Sequence, residues 1–332
     1  MSKVIRVGFI GAGAIAKEHM QALQDVEDVE IVGIYDISQE RSAKAADKYN
    51  AVSFSDPYEL IDPKRIDAIF VCTPPFARSD YETTAARKGI HLFAEKPPGL
   101  QLPEVEAKLD IIKRSGIITS SGHSSRYAAV TDKIKEQLAG KQIDLIHLFR
   151  YHGLPKQPWL SRMEQSGGQM VDQTIHDIDL LRYLIGDFKE VYARFAQRSL
   201  REVNKDADIY DVGAASFTLN TGAVGSVTTT NLLPKSQRRE MTFIGNNFTI
   251  IVNRRNSSLL VAEGADVKEF DCGGDNQTWQ TDLKQQDLAF IEAVRTGSQE
   301  LVRCSYEEAY KTLKVVLAMN ESAITNQPVQ IV

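Results

Sequence analysis

Residues 4–16 read Val4-Ile5-Arg6-Val7-Gly8-Phe9-Ile10-Gly11-Ala12-Gly13-Ala14-Ile15-Ala16. The apolar, β-branched run over 4–10 has the character of a buried strand. The chain then passes through Gly-x-Gly-x-x-Ala and enters a stretch of helical spacing over 15–26. Gly11 permits the tight turn, Gly13 lets a phosphate approach the backbone, and Ala16 allows close helix–strand packing. Ala14 and Ile15 complete the turn and bring the backbone N–H groups of the helix start, its positive end, toward a phosphate. Asp36 ends a second strand, over 30–35, twenty residues after Ala16. A carboxylate there accepts hydrogen bonds from both hydroxyls of an adenosine ribose and repels a 2′-phosphate. Ile37 and Ser38 follow it, and neither is an arginine. The pattern points to a dinucleotide, NAD(H), with NADP(H) disfavoured.

Outward from this turn, strands and helices alternate. A helix is predicted over 39–49, a strand over 67–72, a helix over 77–88 stopped by Gly89, a strand over 90–94, a helix over 103–115 and a strand over 116–120. Such alternation with short turns predicts an α/β unit, a doubly wound parallel sheet covered on both faces. The pattern changes after Gly122. A helix over 128–138 leads to a strand over 143–151, a loop rich in Pro, Trp and Gly, and a helix over 172–184. Successive strands over 191–270 follow, with Asn220-Thr221-Gly222 as a turn between 212–219 and 223–231. Helices over 278–296 and 305–325 close the chain. Strands in series with helices at the ends predict an α+β domain with a mostly antiparallel sheet. The boundary is placed at residue 122, with the dinucleotide-binding domain over 1–122 and the substrate domain over 123–332.

Composition narrows the class. The chain has 332 residues, 39 Lys plus Arg against 44 Asp plus Glu, and a formal net charge of −5. At 42% hydrophobic and 25% charged it is an ordinary globular sequence, too acidic overall for a nucleic-acid platform. No apolar run approaches the ~18–20 residues of a membrane span. Lys3 and Arg6 before a small apolar stretch suggest a signal peptide, but the glycines and Lys17-Glu18-His19 argue for structure. Cys72, Cys272 and Cys304 make neither a disulfide framework nor a zinc spacing, so a reducing cytoplasm is expected.

Two further motifs carry chemistry. Val71-Cys72-Thr73-Pro74-Pro75 and Ala94-Glu95-Lys96-Pro97-Pro98 each end a predicted strand, and both fall at the carboxyl edge of the sheet, where ligands bind. Lys96 is then a cation at the mouth of a nucleotide site; the alternative is a solvated surface lysine. The second motif is Gly167-Gly168-Gln169-Met170-Val171-Asp172-Gln173-Thr174-Ile175-His176-Asp177-Ile178-Asp179. Asp172 and His176 share a helical face, and Asp179 is three residues past His176. A carboxylate beside an imidazole makes a competent proton acceptor near neutral pH. A capping Asp172 with a satisfied core histidine explains the spacing equally well. A metal held by His176, Asp172 and His152 lacks any zinc spacing, and no metal is expected.

Together these residues resemble the Gfo/Idh/MocA oxidoreductases, a family with inositol dehydrogenase-like and glucose–fructose oxidoreductase-like members. The resemblance covers nearly the whole chain: the 11–16 turn, Thr73-Pro74, Glu95-Lys96-Pro97, the 167–179 stretch and the closing segment over 305–329. It implies an N-terminal Rossmann domain and a C-terminal α/β domain whose large open sheet serves as the interface of a homodimer or homotetramer. It also implies that Lys96, Asp172 and His176 form the catalytic group, and that Thr73, Pro74 and Glu95 line the nicotinamide ribose. Two places depart from the family pattern. Thr174 stands where Gly is common, which is expected to reshape the pocket. In Gly122-His123-Ser124-Ser125-Arg126-Tyr127, Arg126 matches the pattern while Ser125 lacks the charge of its counterpart.

The implied reaction is reversible oxidation of a secondary alcohol on a sugar, cyclitol or related polyol. His176 takes the hydroxyl proton, Lys96 stabilises the oxygen and Asp172 orients the pair. Candidates for substrate contact are Arg126, Tyr151, His152, Trp159, Gln173, His176 and Asn231. A hydrolase or epimerase that retains NAD and oxidises transiently would use the same group, and a non-catalytic NAD(H) or sugar sensor would not need it. His19, His91 and His147 are expected to be packing or surface residues, and Cys72 a small core residue.

Overall fold

A computed structural model describes residues 4–234, 237–254, 257–273 and 279–332; Lys3 and the predicted helix start at Thr278 lie outside the described residues. The chain folds as two compact units, Met1–Tyr127 with Trp279–Tyr310, and Ala128–Thr278 with Lys311–Val332.

The first unit is built on β1 (Ile5–Ile10), β2 (Val29–Tyr35), β3 (Val52–Phe54), β4 (Ala68–Val71), β5 (His91–Ala94) and β6 (Thr119–Ser121). Their order is β3-β2-β1-β4-β5-β6 and every pairing is parallel. This is the doubly wound order in which ligands bind beyond the carboxyl ends of the strands, where the order reverses at β1 and β4. Helix α1 (Ala14–Leu23) follows β1 and α2 (Gln39–Tyr49) follows β2. Sequence reading passes over β3, whose three residues are too few to show a period.

Register explains the core of this unit. It pairs Phe9 with Phe70 and Phe70 with Phe93, so the rings stack along one face at 4.9 and 4.5 Å. Phe290 meets Phe70 and Phe93 edge-on at 5.5 and 5.7 Å, a favoured geometry for aromatic pairs. Phe290, Ile291 and Ala293 belong to the same buried cluster as Val7, Phe9 and Phe70. The helix Trp279–Thr296 therefore completes the first unit, although it lies far along the chain. The division expected at residue 122 differs on two counts: the first unit extends to Tyr127 and recovers Trp279–Tyr310.

The second unit holds β7 (Leu145–Gly153), β8 (Phe188–Ala196), β9 (Val212–Leu219), β10 (Val224–Leu233), β11 (Arg238–Gly245), β12 (Phe248–Asn253), β13 (Ser258–Glu263), β14 (Asp266–Asp271) and β15 (Val329–Gln330). Among the described residues they form one sheet in the order β14-β13-β12-β11-β7-β10-β9-β8-β15. Pairing is antiparallel except between β7 and β10. The β9–β10 hairpin turns on Gly222 at φ +93°, as the Asn-Thr-Gly signal predicts. The short β15, two residues long, has no signal in the sequence. The predicted helix over 172–184 is an α-helix only over Ile175–Leu184, preceded by a π-helical turn, Met170–Thr174. Such turns are rare and concentrate at functional sites. No helix among the described residues is long and apolar enough to cross a membrane.

Candidate active site

Candidate site residues fall in two sets, one in each unit. In the first unit the turn after β1 has the geometry a pyrophosphate requires. Gly11 adopts φ +103°, and a Cβ there would lie 3.0 Å from the Cys72 carbonyl. Gly13 is the N-cap of α1, which has no side-chain cap and no acid in its first turn. A Cβ at Gly13 would meet nothing within 4 Å. Uncapped helix N–H groups facing open space suit an anion, and Ala14 and Ile15 begin that helix.

Asp36 closes the turn from the other side. Its Oδ2 accepts the Ala12 N–H at 2.8 Å and its Oδ1 the Ser38 N–H at 2.8 Å. Arg41 on α2 adds Nη2 to Oδ1 at 2.7 Å. Burial alone would raise this carboxyl; Arg41, Ala12 and Ser38 hold it below the usual value. The residues directly after Asp36 supply no arginine, yet the first turns of α2 do. Arg41, five positions on, is a site residue that sequence reading missed.

Thr73 and Pro74 follow β4, at the carboxyl edge as predicted. Thr73 Oγ1 is buried without a hydrogen-bond partner among the described residues, an orphan that a ligand hydroxyl or amide can satisfy. The buried Arg78 guanidinium backs this segment, with Nε 3.4 Å from the Thr73 carbonyl and Nη1 3.3 Å from Glu82.

Glu95 follows β5 and is 8% exposed. Its Oε2 accepts the Lys96 N–H at 3.1 Å and its Oε1 lies 3.0 Å from His19 Nε2. Any Cβ at Gly122 would collide with this carboxylate, which gives that glycine a steric reason. Lys96 is half-buried, and the Lys96–Pro97 bond is cis. His19 is fully buried on α1, and its Nδ1 lies 2.9 and 2.8 Å from the two carboxylate oxygens of Asp287. It is thus an ion-pairing residue and not simple packing. The missed signal was an ionisable side chain three residues after Ala16, on the helix face that also buries Met20 and Leu23. His91 accepts the Ile118 N–H at 3.0 Å, and His147 is exposed, 2.9 Å from Ser226 Oγ. Arg126 is 2% exposed; its guanidinium reaches the Arg303 carbonyl and, at 3.4 Å, Glu308.

In the second unit the 172–179 stretch sorts its polar side chains by depth. Thr174, Asp177 and Asp179 are fully buried, while Asp172, Gln173 and His176 are half-buried. Asp177 sits between Arg150 Nη1, at 2.9 Å, and Arg239. Burial works against its charge, but Arg239 and Arg150 hold it below the usual carboxylate range. Arg150 Nη2 also donates to Gln173 Oε1 at 2.8 Å, and Gln173 Nε2 donates to Asp172 Oδ2 at 2.7 Å. A chain of bonds thus runs from Asp177 through Arg150 and Gln173 to Asp172. Asp179 accepts the Thr312 hydroxyl at 2.9 Å. Thr174 Oγ1 lies 3.2 Å from Thr229 Oγ1 on β10, so its side chain turns to the sheet instead of reshaping a pocket.

Strand parity separates two neighbouring residues on β7. Ile146, Leu148 and Arg150 share one face, and Arg150 reaches the helix that carries Asp177. Tyr151 shares the opposite face with Phe149, on which it stacks at 4.9 Å, and its hydroxyl meets Thr228 Oγ1 at 2.9 Å. The predicted contact Tyr151 therefore points away from Asp172, and Arg150 points toward it, because side chains alternate along a strand. His152 Nε2 lies 2.8 Å from Gln237 Nε2, and burial pushes its pKa down. Asn231 is buried on β10, and Trp159 is half-buried in a short 3-10 turn, Pro158–Ser161.

The chain is 30% identical over 226 residues to the myo-inositol 2-dehydrogenase of Thermotoga maritima, covering 67% of each chain. It is 27% identical over 341 residues to the scyllo-inositol 2-dehydrogenase (NAD(+)) of Bacillus subtilis, covering 100% of this chain and 97% of that one. Its fold superposes on levoglucosan dehydrogenase in complex with NADH and L-sorbose with a TM-score of 0.89, at 22% identity and 100% coverage of both chains. Residues 5–123 match the oxidoreductase family with an NAD-binding Rossmann fold, and residues 127–251 match the GFO/IDH/MocA C-terminal domain. The glycine turn, Glu95-Lys96 and the 167–179 stretch thus stand, in order, in a chain that belongs to the Gfo/Idh/MocA family of NAD-binding oxidoreductases.

Proposed function

We propose that the protein is an NAD-dependent dehydrogenase for a secondary alcohol of a sugar, cyclitol or related polyol, with Lys96, Asp172 and His176 as its acid–base group. The observation that carries this reading is the sorting of the 172–179 stretch. Thr174, Asp177 and Asp179 are buried against bonds to other elements, whereas Asp172, Gln173 and His176, an acid, an amide and an imidazole, are half-buried at a depth accessible to a polyol. The named activities of the inositol and sugar dehydrogenase relatives support the substrate class.

Bound nicotinamide supplies the hydride acceptor. His176 accepts the proton of the substrate hydroxyl, and Lys96 donates a hydrogen bond to the same oxygen as negative charge develops on it. Asp172, held by Gln173, orients the substrate through a neighbouring hydroxyl. Gln173 and Trp159 contribute further contacts. Arg126 already has internal partners and acts as a support of the site, whereas Tyr151 lies on the opposite face of the sheet. Thr73, Pro74 and Glu95 serve the nicotinamide ribose, Gly11, Gly13, Ala14 and Ile15 the pyrophosphate, and Asp36 the adenosine ribose. Ile37, 90% exposed beside Asp36, offers an apolar face to adenine. Residues 1–122 form the cofactor lobe in this reading and 123–332 the substrate lobe, with Trp279–Tyr310 returned to the former.

The test is a panel of inositols, hexoses and sugar acids with NAD and NADP, followed at 340 nm. Net absorbance change with NAD is expected for at least one polyol; product without net change would point instead to an enzyme that keeps and recycles its cofactor. Lys96→Ala and His176→Ala should each bind NADH and lose about 100-fold or more in kcat. Near wild-type kcat in either variant would remove that residue from the mechanism.

Cofactor choice rests on Asp36, with Arg41 beside it. Asp36→Ser frees Arg41 for a 2′-phosphate, and NADP(H) affinity should rise about tenfold or more. The rise should vanish in Asp36→Ser/Arg41→Ala; a rise that persists would place the discrimination elsewhere. The scattered spacing of Cys72, Cys272 and Cys304, with no Cys-x-x-Cys, favours a reducing cytoplasm. The sheet face bearing His147, Phe149 and Tyr151 is the proposed surface of a homodimer or homotetramer, and light scattering showing a monomer at micromolar concentration would overturn it.

A further inference from the structure

We propose that His19 is a positioning residue for the Lys96 segment: as a buried cation between Asp287 and Glu95, it fixes the carboxylate that holds the Lys96 backbone. The proposal rests on the reading of Lys96 as part of the acid–base group.

Both ring nitrogens of His19 face carboxylate oxygens, Nδ1 at 2.9 and 2.8 Å from Asp287 and Nε2 at 3.0 Å from Glu95. A neutral imidazole carries one N–H and one lone pair, and a lone pair aimed at a carboxylate is repelled. Only the imidazolium donates to both partners. Phe70 and Phe93 flank the ring with centroids at 5.4 and 4.9 Å, so apart from the two carboxylates its surroundings include apolar ring faces. Burial opposes the charge, yet Asp287 and Glu95 raise the imidazolium pKa to about 10.

The consequence reaches the site through Glu95. Burial would push its carboxyl up, but His19 first, then Lys96 and Arg78, hold it below the usual range. The other charged or titratable groups facing this cluster are Asp287, raised by burial, and the Cys72 thiol, pushed well up by burial. With Oε1 held by His19, Oε2 is left oriented toward the Lys96 N–H at 3.1 Å. The imidazolium therefore ties three elements together: α1, whose start holds the pyrophosphate turn, the end of β5, and the helix Trp279–Thr296. None of this is needed to fill space, since a leucine would pack against the same rings.

The decisive measurement on the wild-type protein with NADH bound is ¹⁵N NMR of histidine. At about pH 8.5, well above the ordinary histidine value of 6.5, His19 should still show two protonated nitrogens. A neutral ring at that pH overturns the proposal. The double variant His19→Gln/Asp287→Asn removes the cation together with one carboxylate, so no new excess charge is buried. Its NADH dissociation constant should stay within about threefold of wild type, while kcat for the polyol that turns over in the panel falls about 10- to 100-fold. The acid limb of its kcat profile should move up by about one pH unit, because Glu95 loses the cation that holds it ionised. A role in packing alone would lower stability without moving the limb; an unmoved limb with kcat within about threefold overturns the proposal. Should the double variant not fold, Asp287→Asn decides: the imidazolium should then titrate at lower pH, and an unchanged titration overturns the proposal. Lys96→Ala, assayed alongside, keeps the two claims apart. Near wild-type kcat in it sinks the reading of Lys96, whereas a slow Lys96→Ala with an unmoved limb in the double variant sinks the role of His19 alone.

Discussion

Each unit buries a charge cluster, and the two are opposite in sign. In the first, one imidazolium lies between two carboxylates, His19 between Asp287 and Glu95. In the second, one carboxylate lies between two guanidiniums, Asp177 between Arg150 and Arg239. Away from water such clusters are costly to build, and replacing them by apolar groups often stabilises a protein. Their value lies in geometry. The first backs a backbone segment that ends in a proposed catalytic cation, Lys96. The second backs, through Gln173, a proposed catalytic carboxylate, Asp172. In each unit the cluster's surplus charge is opposite to that of the side chain it supports, and low dielectric leaves the surplus poorly screened.

The largest effect that would break this comparison is loss of the central ion. Asp177→Ala leaves Arg150 and Arg239 facing each other, and the second unit should lose about 3–5 kcal/mol of stability in urea unfolding. A loss below about 1 kcal/mol would show that the cluster is solvated in solution and not the counterpart of His19.

The pH edges of the two units sharpen the contrast. His19 titrates at about 10 in the folded protein against 6.5 unfolded. Its contribution to stability is complete below 6.5 and is lost as pH rises through about 10. Asp177 titrates below its ordinary 3.8, so its contribution is present above 3.8 and is lost as pH falls through the folded value. Trp279 belongs to the first unit and Trp159 to the second, so single-tryptophan variants report each edge by fluorescence. Trp279 should detect falling thermal stability between pH 6.5 and about 10; a flat profile there would mean that the imidazole is buried neutral.

The smallest effect tests how the second cluster's helix is anchored. Thr174→Ala removes the bond to Thr229 and should cost about 1 kcal/mol in urea unfolding, with kcat within about threefold of wild type. A larger loss of kcat with unchanged stability would return Thr174 to the pocket.

Much of this is legible in the sequence. The 4–16 stretch, Asp36, Thr73-Pro74, Glu95-Lys96 and the 167–179 motif each fall where the strand–turn–helix reading puts them. Those signals are local, since a glycine turn, a strand end or a helix start is set by neighbours a few residues away. Arg41 escapes such a reading because it reaches Asp36 only once α2 is wound. Tyr151 is favoured over Arg150 because a pattern of residue types does not disclose which face of β7 meets the helix. The π-helical turn over Met170–Thr174 leaves no periodic signal in five residues.

By itself the sequence determined the parallel and antiparallel halves, the dinucleotide turn and the membership of its motifs in one family, because sterics and hydrophobic period act over short stretches. Only the tertiary structure decided which charges meet. His19 and Asp287 are 268 residues apart, and nothing local names either as the other's partner. They become partners because the apolar face of Trp279–Thr296 is buried against the Phe9-Phe70-Phe93 stack. Burial brings the charges together, and once water is excluded each must be satisfied by the other.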